Sequence, residues 1–176
     1  MKKLILTLFA LAIAAPLSAQ RLNIDFPGLG DKAREVVDVT LDGSMLKLAS
    51  KFLSNSDPDE RAARDVVAKL EGIYVRSYEF DHEGEYDRAV VDRLRGQLGA
   101  SWKKIVTVRE RKENTEIYIE TRGDQPVGLL IISADPRELT VVNIVGPIDV
   151  DKLGMIEGNF GVPHVHVKMG KKDSHE

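Results

Sequence analysis

The clearest pattern in this chain is a series of four apolar runs between residues 102 and 147. Each run is rich in Val, Ile, Thr or Tyr, the residue types that suit a half-buried strand. The runs are Ile105–Arg111, Thr115–Thr121, Val127–Ala134 and Leu139–Gly146. The breaks between them hold only three to five residues, too few for a crossover helix. The pattern therefore predicts an antiparallel meander of four strands.

Two further strands and three helices are predicted ahead of the meander. Alternation of apolar and polar residues predicts strands over Glu35–Leu41 and Ile73–Phe80. The second of these runs is apolar on both sides, which is typical of an interior strand. Helical spacing predicts helices over Leu41–Leu53, from Asp57 to Leu70, and over about Glu85–Leu98.

The predicted helices have recognisable caps and apolar stripes. Asp42 or Ser44 can cap the first helix, and Asp57 can cap the second because Pro58 suits the first helical position. The apolar residues at helical spacing are Met45, Leu48, Ala49, Phe52 and Leu53 in the first helix, and Tyr86, Val90, Val91, Leu94 and Leu98 in the third. Helices with one apolar stripe cover one face of a sheet. We therefore expect an α+β fold with two layers, an antiparallel β-sheet with helices packed on one face.

The N-terminus predicts export. Residues 1–19 combine a positive start at Lys2 and Lys3, an apolar run over Leu4–Ala15 and a small residue at Ala19, as in a secretory signal peptide. The apolar run is shorter than the ~20 residues that span a membrane. We expect cleavage after Ala19, no membrane anchor afterwards, and a periplasmic protein.

The expected organisation after cleavage has three parts. Residues 20–35 form an irregular lead-in segment, residues 36–157 form a single α+β domain, and residues 158–176 form a C-terminal tail. Pro27 with Gly28 and Gly30 indicates the irregular start. After residue 158 no periodic core pattern remains.

Composition excludes several kinds of function. The 176 residues include no Cys, so thiol catalysis, thiolate metal sites and disulfides are excluded. The net charge is −3 and aromatic residues make up 6% of the chain, which argues against nucleic acid as a partner. The sequence contains no Gly-x-Ser-x-Gly, phosphate-binding Gly-rich loop or His-Glu-x-x-His motif, and no cofactor is expected.

His164 and His166 are the candidate metal ligands. Residues two apart in an extended segment face the same side, so both imidazoles could reach one ion. Metal ligands also need rigid support, which this Gly- and Lys-containing tail does not indicate. A solvated tail is the alternative interpretation.

Three other features carry a functional and a structural interpretation each. The acidic stretch Asp81–Asp87 could bind a cation or act as an acid–base pair, or it could cap the following helix. The charged hairpin Arg109–Glu113, with Glu116 and Glu120, could be a docking edge or a solvated face that protects an edge strand. Trp102 could stack on a ligand or close the core. The structural interpretation is favoured in each case.

The chain resembles the Domain of Unknown Function 4252 family. The resemblance is carried by Phe26–Leu29, Val37–Gly43, Leu70–Phe80 and Trp102–Val106, of which the helix-Gly-Ile-Tyr-Val-Arg stretch is the most specific. It covers about Phe26 to Leu153. The resemblance implies a small exported protein of the diderm bacterial envelope, often encoded beside sigma-factor and anti-sigma-factor genes, with no catalytic residues to carry over.

These observations favour a non-enzymatic binding or interaction module of the envelope, linked to envelope signalling and to an envelope protein partner. The alternative is a periplasmic carrier of a small apolar ligand, which would need a cavity of ~300–1,000 Å³. A hydrolase-type enzyme using the acidic loop is the least favoured hypothesis, because it needs convergent titratable groups in a cleft.

Overall fold

The computed structural model describes residues 21–53 and 58–149. Within these ranges the chain forms six strands and three helices. In chain order they are β1 (Glu35–Asp42), α1 (Gly43–Ser50), α2 (Pro58–Val67), β2 (Gly72–Glu79), α3 (Ala89–Arg95), β3 (Trp102–Glu110), β4 (Glu113–Arg122), β5 (Gln125–Ala134) and β6 (Glu138–Val145). The α+β class is therefore confirmed.

All six strands form one antiparallel sheet in the order β1-β2-β6-β5-β4-β3. The predicted meander is confirmed as β3 to β6. The last strand, β6, lies between β5 and β2, and pairs Gly72 with Val145 and Glu79 with Glu138. β2 is consequently an interior strand, as its two apolar sides predict.

The sheet has a hydrophobic core on each face. We call the side of Tyr74 and Tyr78 the front face and the side of Ile73 and Val75 the back face. α3 and the lead-in segment cover the front face, whereas α1 and α2 cover the back face. The expectation that all helices pack on one face is thus corrected. The physical reason is that the interior strands are apolar on both sides, so both faces must be removed from water.

α1 buries a different side from the predicted stripe. Leu46 is fully buried on the back face, whereas Met45, Leu48 and Phe52 are large exposed apolar residues. The helix begins directly after β1 without a loop, so the strand end fixes which side of the helix meets the sheet. Asp42 caps it, since its Oδ1 accepts hydrogen bonds from the N–H groups of Ser44 and Met45, both at 2.9 Å.

The stripe predicted for α3 is confirmed. Val90, Val91 and Leu94 are buried within the front core, together with Tyr86, and Leu98 packs against it. The N-cap predicted at Asp57 for α2 lies outside the described residues, as do residues 1–19 and the tail 158–176.

The lead-in segment runs over the front face. Its described residues, 21–34, form turns but neither helix nor strand. Leu22, Ile24 and Leu29 are buried in the front core, and the Leu22 N–H donates to Asn143 Oδ1 at 3.1 Å. Asn143 is itself fully buried, so the segment closes the front of β6.

The sheet edges are β1 and β3. In β3 the pairing with β4 shifts between Lys104 and Val106, so Ile105 is an extra residue and is exposed. A bulge in an edge strand hinders pairing with a further strand. The bulge also reverses the alternation of β3, so that Lys104, opposite Tyr118, and Arg109, opposite Asn114, both lie on the front face.

Candidate functional site

A basic pocket of about 530 Å³ lies on the front face, between α3 and the hairpin of β3 and β4. Its lining residues are Arg88, Arg95, Lys104, Arg109, Arg111, Lys112, Glu113, Asn114 and Glu116. Six of these nine residues are cationic and two are acidic. The chain as a whole has 25 Lys and Arg and 28 Asp and Glu, so its net charge is negative. The pocket, in contrast, has an excess of positive charge.

Glu116 is the buried carboxylate in the wall of this pocket. It receives hydrogen bonds from Tyr118 Oη at 2.8 Å and Arg95 Nε at 2.9 Å, both on Oε2, and from Lys104 Nζ at 3.1 Å on Oε1. Only 4% of its side chain is exposed. One carboxylate from β4 therefore holds a cation from α3 and a cation from β3 in fixed positions.

The protonation of Glu116 follows from these contacts. Burial by itself would raise the pKa of the carboxyl, but the hydrogen bonds from Tyr118, Arg95 and Lys104 outweigh burial and lower the pKa to about 2. Burial and the Glu116 carboxylate both raise the pKa of Tyr118, which keeps its hydroxyl protonated as a donor. Glu116 is thus ionised at any physiological pH, and the pKa of Arg95 is raised by its contacts with Glu116 and Asp92.

The outer part of the pocket holds cations that no described carboxylate neutralises. Arg109 and Arg111 form no ion pair with the described residues, and Arg88 donates to the backbone oxygen of Lys112, at 3.2 Å, and to the hydroxyl of Tyr86. Lys112, in contrast, pairs with Glu83 at 2.8 Å, which lowers the pKa of that carboxyl. Three guanidinium groups at the mouth of the pocket therefore retain their full charge.

The turn that presents these cations has an unusual backbone. Glu110 pairs with Glu113, so Arg111 and Lys112 form a two-residue hairpin turn. Arg111 has a φ of 45°, the one positive φ of a non-glycine residue in the described part of the chain. Positive φ at such a turn favours glycine. An arginine here keeps a cation at the tip of the hairpin at some conformational cost.

A second pocket, of about 270 Å³, lies where the lead-in segment crosses β2. Arg76 in its wall is buried and its donors are already engaged. Its Nε and Nη2 atoms lie 3.0 Å from Asp25 Oδ1, and its Nη1 atom lies 2.5 Å from Asp38 and 2.9 Å from the Val75 oxygen. We therefore interpret Arg76 as the group that fixes the lead-in segment to the sheet.

The acidic stretch Asp81–Asp87 forms an exposed loop whose acids have structural partners. Asp87 Oδ1 accepts from the Ala89 N–H at 2.8 Å at the start of α3, and Glu85 accepts from the His82 N–H at 3.0 Å. Across the described ranges, no group of three or more metal-ligating side chains lies close enough together to hold an ion. The candidate ligands His164 and His166 lie outside those ranges.

Two expectations about single residues have different outcomes. Trp102 is buried in the front core, where its ring lies over Gly128, so the packing interpretation is confirmed. Glu116 and Glu120 were expected on a solvated face, and this is wrong: both are buried, because they alternate with Tyr118 and share its front face.

The charges of the hairpin were evident in the sequence, but the rest of the pocket was not. Arg95 on α3 and Arg88 directly before that helix are placed at the pocket only by the tertiary fold, and Lys104 joins them from the part of β3 that precedes the bulge. A usable signal was present for Glu116, since its spacing of two from Tyr118 puts an acid on an apolar face.

Fold and pocket together define an α+β protein with a basic pocket at one edge of its sheet. The sequence model of one family, described as Domain of unknown function (DUF4252), matches residues 31–156, and the chain belongs to this family. All the residues that line the basic pocket lie within that match. No curated protein and no solved structure matches the chain. None of the helices in the described ranges is long and apolar enough to cross a membrane.

Proposed function

We propose that this protein is a non-enzymatic binding module of the bacterial envelope that recognises an anionic ligand or an acidic region of a partner through its basic pocket. The observation that carries the proposal is the concentration of six cations around a buried carboxylate in an otherwise acidic chain. The volume of the basic pocket, about 530 Å³, falls within the range of small-molecule sites, ~300–1,000 Å³.

The internal ion pairs support a role in binding. Glu116 positions Arg95 and Lys104 before any ligand arrives, so little side-chain order has to be imposed on binding. The uncompensated charge of Arg88, Arg109 and Arg111 then attracts the anion and raises its association rate. The pocket is thus organised as a receptor for negative charge.

The electrostatics favour binding over acid–base catalysis. Arginine side chains remain protonated in proteins, and Glu116 with a pKa of about 2 remains ionised. A general acid or base works best when its pKa lies near the working pH. The groups that dominate this pocket hold charge and do not exchange protons at neutral pH, which supports the non-enzymatic proposal.

The alternative of an apolar carrier has less support. Both pockets described above are lined mainly by charged and polar side chains. A carrier of an apolar ligand needs a predominantly apolar wall. An anionic ligand, in contrast, would form ion pairs with the cationic side chains in the wall of the basic pocket.

Anion binding is tested by nuclear magnetic resonance titration. Isotope-labelled protein, expressed from the full-length gene and purified as the cell processes it, is titrated with glycerol 3-phosphate and with a hexaglutamate peptide. We expect shifts of the Arg88, Arg95 and Arg111 signals with at least one anion, weakened by added salt. Arg93, an exposed cation on α3 that does not line the pocket, is the internal control. An absence of pocket shifts with both anions would overturn the proposal.

Export and the envelope location belong to the same proposal. They rest on the signal-peptide pattern of residues 1–19, and the link to envelope signalling rests on the family resemblance. Cell fractionation followed by N-terminal sequencing should recover the protein in the periplasmic fraction, beginning at Gln20. Recovery of an intact Met1 from the cytoplasm would contradict this part of the proposal.

A further inference from the structure

The mouth of the basic pocket carries three arginines, one directly before α3, one on β3 and one at the hairpin tip. Arg88, Arg109 and Arg111 have no carboxylate partner among the described residues, whereas Arg95 pairs with both Asp92 and Glu116, and Lys104 pairs with Glu116. The free charge is therefore confined to one rim. A ligand that makes use of it must present several acceptor atoms to several guanidinium groups at once.

We infer that this rim is a subsite for a phosphate monoester, carried by a phosphorylated small molecule or by a lipid headgroup. The inference rests on the proposed function and names the ligand class of the same pocket. A terminal phosphate offers three acceptor oxygens and a charge of about −1.5 to −2, against two oxygens and −1 for a carboxylate. Three guanidinium groups match the three phosphate oxygens in number, and a phosphate dianion balances more of their positive charge than a carboxylate does.

The lining also argues against a nucleotide. None of the nine lining residues is aromatic, so the pocket has no ring on which a base could stack. Glu113 and Asn114 in the wall are polar, and the Glu113 carboxylate can accept hydrogen bonds from ligand hydroxyl groups. A phosphorylated polyol or a glycerol phosphate headgroup suits these features.

Arg111 provides a second argument. A residue at a positive φ in a two-residue turn is strained unless it is glycine, and arginine lacks the short polar side chain that eases this conformation. Nothing in the described structure compensates Arg111 through an ion pair or a hydrogen bond. Strain of this kind is found at sites where it serves binding. We propose that the strained backbone at Arg111 serves to hold its guanidinium group against the bound phosphate.

The affinity for a phosphate monoester should change with pH between 5.5 and 7.5, whereas the affinity for a carboxylate ligand should not. The second ionisation of a phosphate monoester has a pKa of about 6. The charged groups around the rim are Arg88 directly before α3, Arg95 on α3, Lys104 and Arg109 on β3, Arg111 and Lys112 in the turn, and Glu113 and Glu116 on β4. No histidine lines the pocket. We therefore expect affinity for glycerol 3-phosphate to rise about fourfold from pH 5.5 to 7.5, as the dianion forms.

Calorimetric titrations of the processed full-length protein separate the outcomes. Tighter binding of glycerol 3-phosphate than of hexaglutamate, with the rise in affinity between pH 5.5 and 7.5, supports the inference. Binding of hexaglutamate without glycerol 3-phosphate or phosphatidic acid overturns the inference and leaves the proposed function standing. Binding of no anion overturns both.

Vesicles distinguish the two sources of the phosphate. Phosphatidylcholine vesicles containing phosphatidic acid are compared with pure phosphatidylcholine vesicles in a flotation assay. Co-flotation with the first kind alone identifies a lipid headgroup, and binding of glycerol 3-phosphate without co-flotation identifies a soluble ligand. Either result supports a phosphate monoester.

Arg111→Gly is the decisive variant. Glycine relieves the positive φ, so the urea midpoint should be unchanged or higher, while affinity for glycerol 3-phosphate should fall at least about tenfold. Arg93→Ala removes an equal charge from an exposed position on α3 and should leave the affinity unchanged. Arg88→Ala should weaken binding as Arg111→Gly does. Unchanged affinity in both rim variants would overturn the inference.

Discussion

At the scale of single residues, Glu116 links the stability of the protein to its candidate site. Its carboxylate is buried and holds Arg95, Lys104 and Tyr118 together. A buried carboxylate without these partners would be protonated more easily, whereas here the pKa falls to about 2. The same contacts that position the cations of the pocket therefore also stabilise the folded state.

Glu116→Gln should destabilise the protein by about 2 kcal/mol at neutral pH. The fall of the pKa from 4.5 to about 2 corresponds to about 3 kcal/mol, reduced because Arg95 and Lys104 are partly exposed to solvent. The glutamine also places an N–H₂ group against two cations. Urea unfolding at pH 7 measures the loss, and Glu110→Gln on the exposed end of the same hairpin is the control.

The stabilisation by Glu116 should depend on pH in a defined window. The folded-state pKa is lower than the unfolded one, so this contribution is present above pH 4.5 and is lost as the pH falls toward about 2. The difference in unfolding free energy between wild type and Glu116→Gln should therefore shrink over that range. A difference that stays constant from pH 6 to pH 2 would refute the assigned ionisation.

Sequence alone could have placed Glu116 but could not have given its partners. The alternation of Glu116, Tyr118 and Glu120 assigns both acids to the face of a buried tyrosine. Arg95 lies 21 positions away on a helix whose placement depends on the whole fold. Long-range pairing of this kind leaves no periodic signal in a single chain.

At the scale of secondary structure, the junction of β1 and α1 depends on one side chain. Asp42 Oδ1 accepts from two backbone N–H groups that the helix itself cannot satisfy. Hydrogen bonds from Ser44 and Met45 lower the pKa of Asp42, as expected for a capping carboxylate. The strand therefore passes into the helix without any intervening loop.

Asp42→Ala should lower the free energy of unfolding by about 1 kcal/mol, the usual effect of a lost N-cap. Asp42→Asn should lower it by much less, because asparagine is an equally good cap. Chemical denaturation of the two variants at pH 7 gives the comparison. Equal losses in the two would mean that the carboxylate acts by its charge and not as a cap.

Strands were easier to predict than helices because their signal is local. Alternation and short polar breaks gave β3 to β6 within a few residues, and the two-sided run gave β2 as an interior strand. The stripe of α1 was wrong, since Leu46 and not Leu48 faces the sheet. Helical periodicity identifies an amphipathic helix, but the strand end sets its rotation here.

At the scale of the whole molecule, Arg76 joins three separate parts of the chain. It contacts Asp25 of the lead-in segment and Asp38 of β1 from its position on β2. The lead-in segment makes further contacts through Leu22 and through the amide of Gln97. These polar contacts hold an irregular segment in place where no regular backbone pairing does so.

Asp25→Ala should loosen the lead-in segment and leave the sheet intact. Arg76 retains Asp38 and two backbone oxygens, so its charge stays partly satisfied. Hydrogen exchange of the Leu22 and Asn23 amides should speed up roughly fivefold, the effect of losing about 1 kcal/mol of local stability. Amides of β6 should be unaffected, and Asp31→Ala, an exposed acid of the same segment, should change neither.

The sheet order could not be predicted from the sequence, and neither could the cover on its second face. The short connections between β3, β4, β5 and β6 indicate that consecutive strands are neighbours in the sheet. No local feature of the sequence indicates that β6 also pairs with β2. The apolar residues on both sides of β2 contained the signal for a second layer. These residues were interpreted only as evidence that β2 is an interior strand, so the prediction placed helices on one face of the sheet.

The pairing of β2 with β6 also sets the order in which the nascent chain can fold. Residues 72–79 are synthesised well before residues 138–145, which cover their second edge. Whether the chain folds at the ribosome or after export, its N-terminal side emerges first. Until Val145 has emerged, the apolar side chains and one backbone edge of β2 lack their native partner, and such an edge invites pairing with other chains. Among the described strands, the last to be made is therefore the one that closes the sheet, so a chain truncated before Glu138 should aggregate more readily than a chain that includes β6.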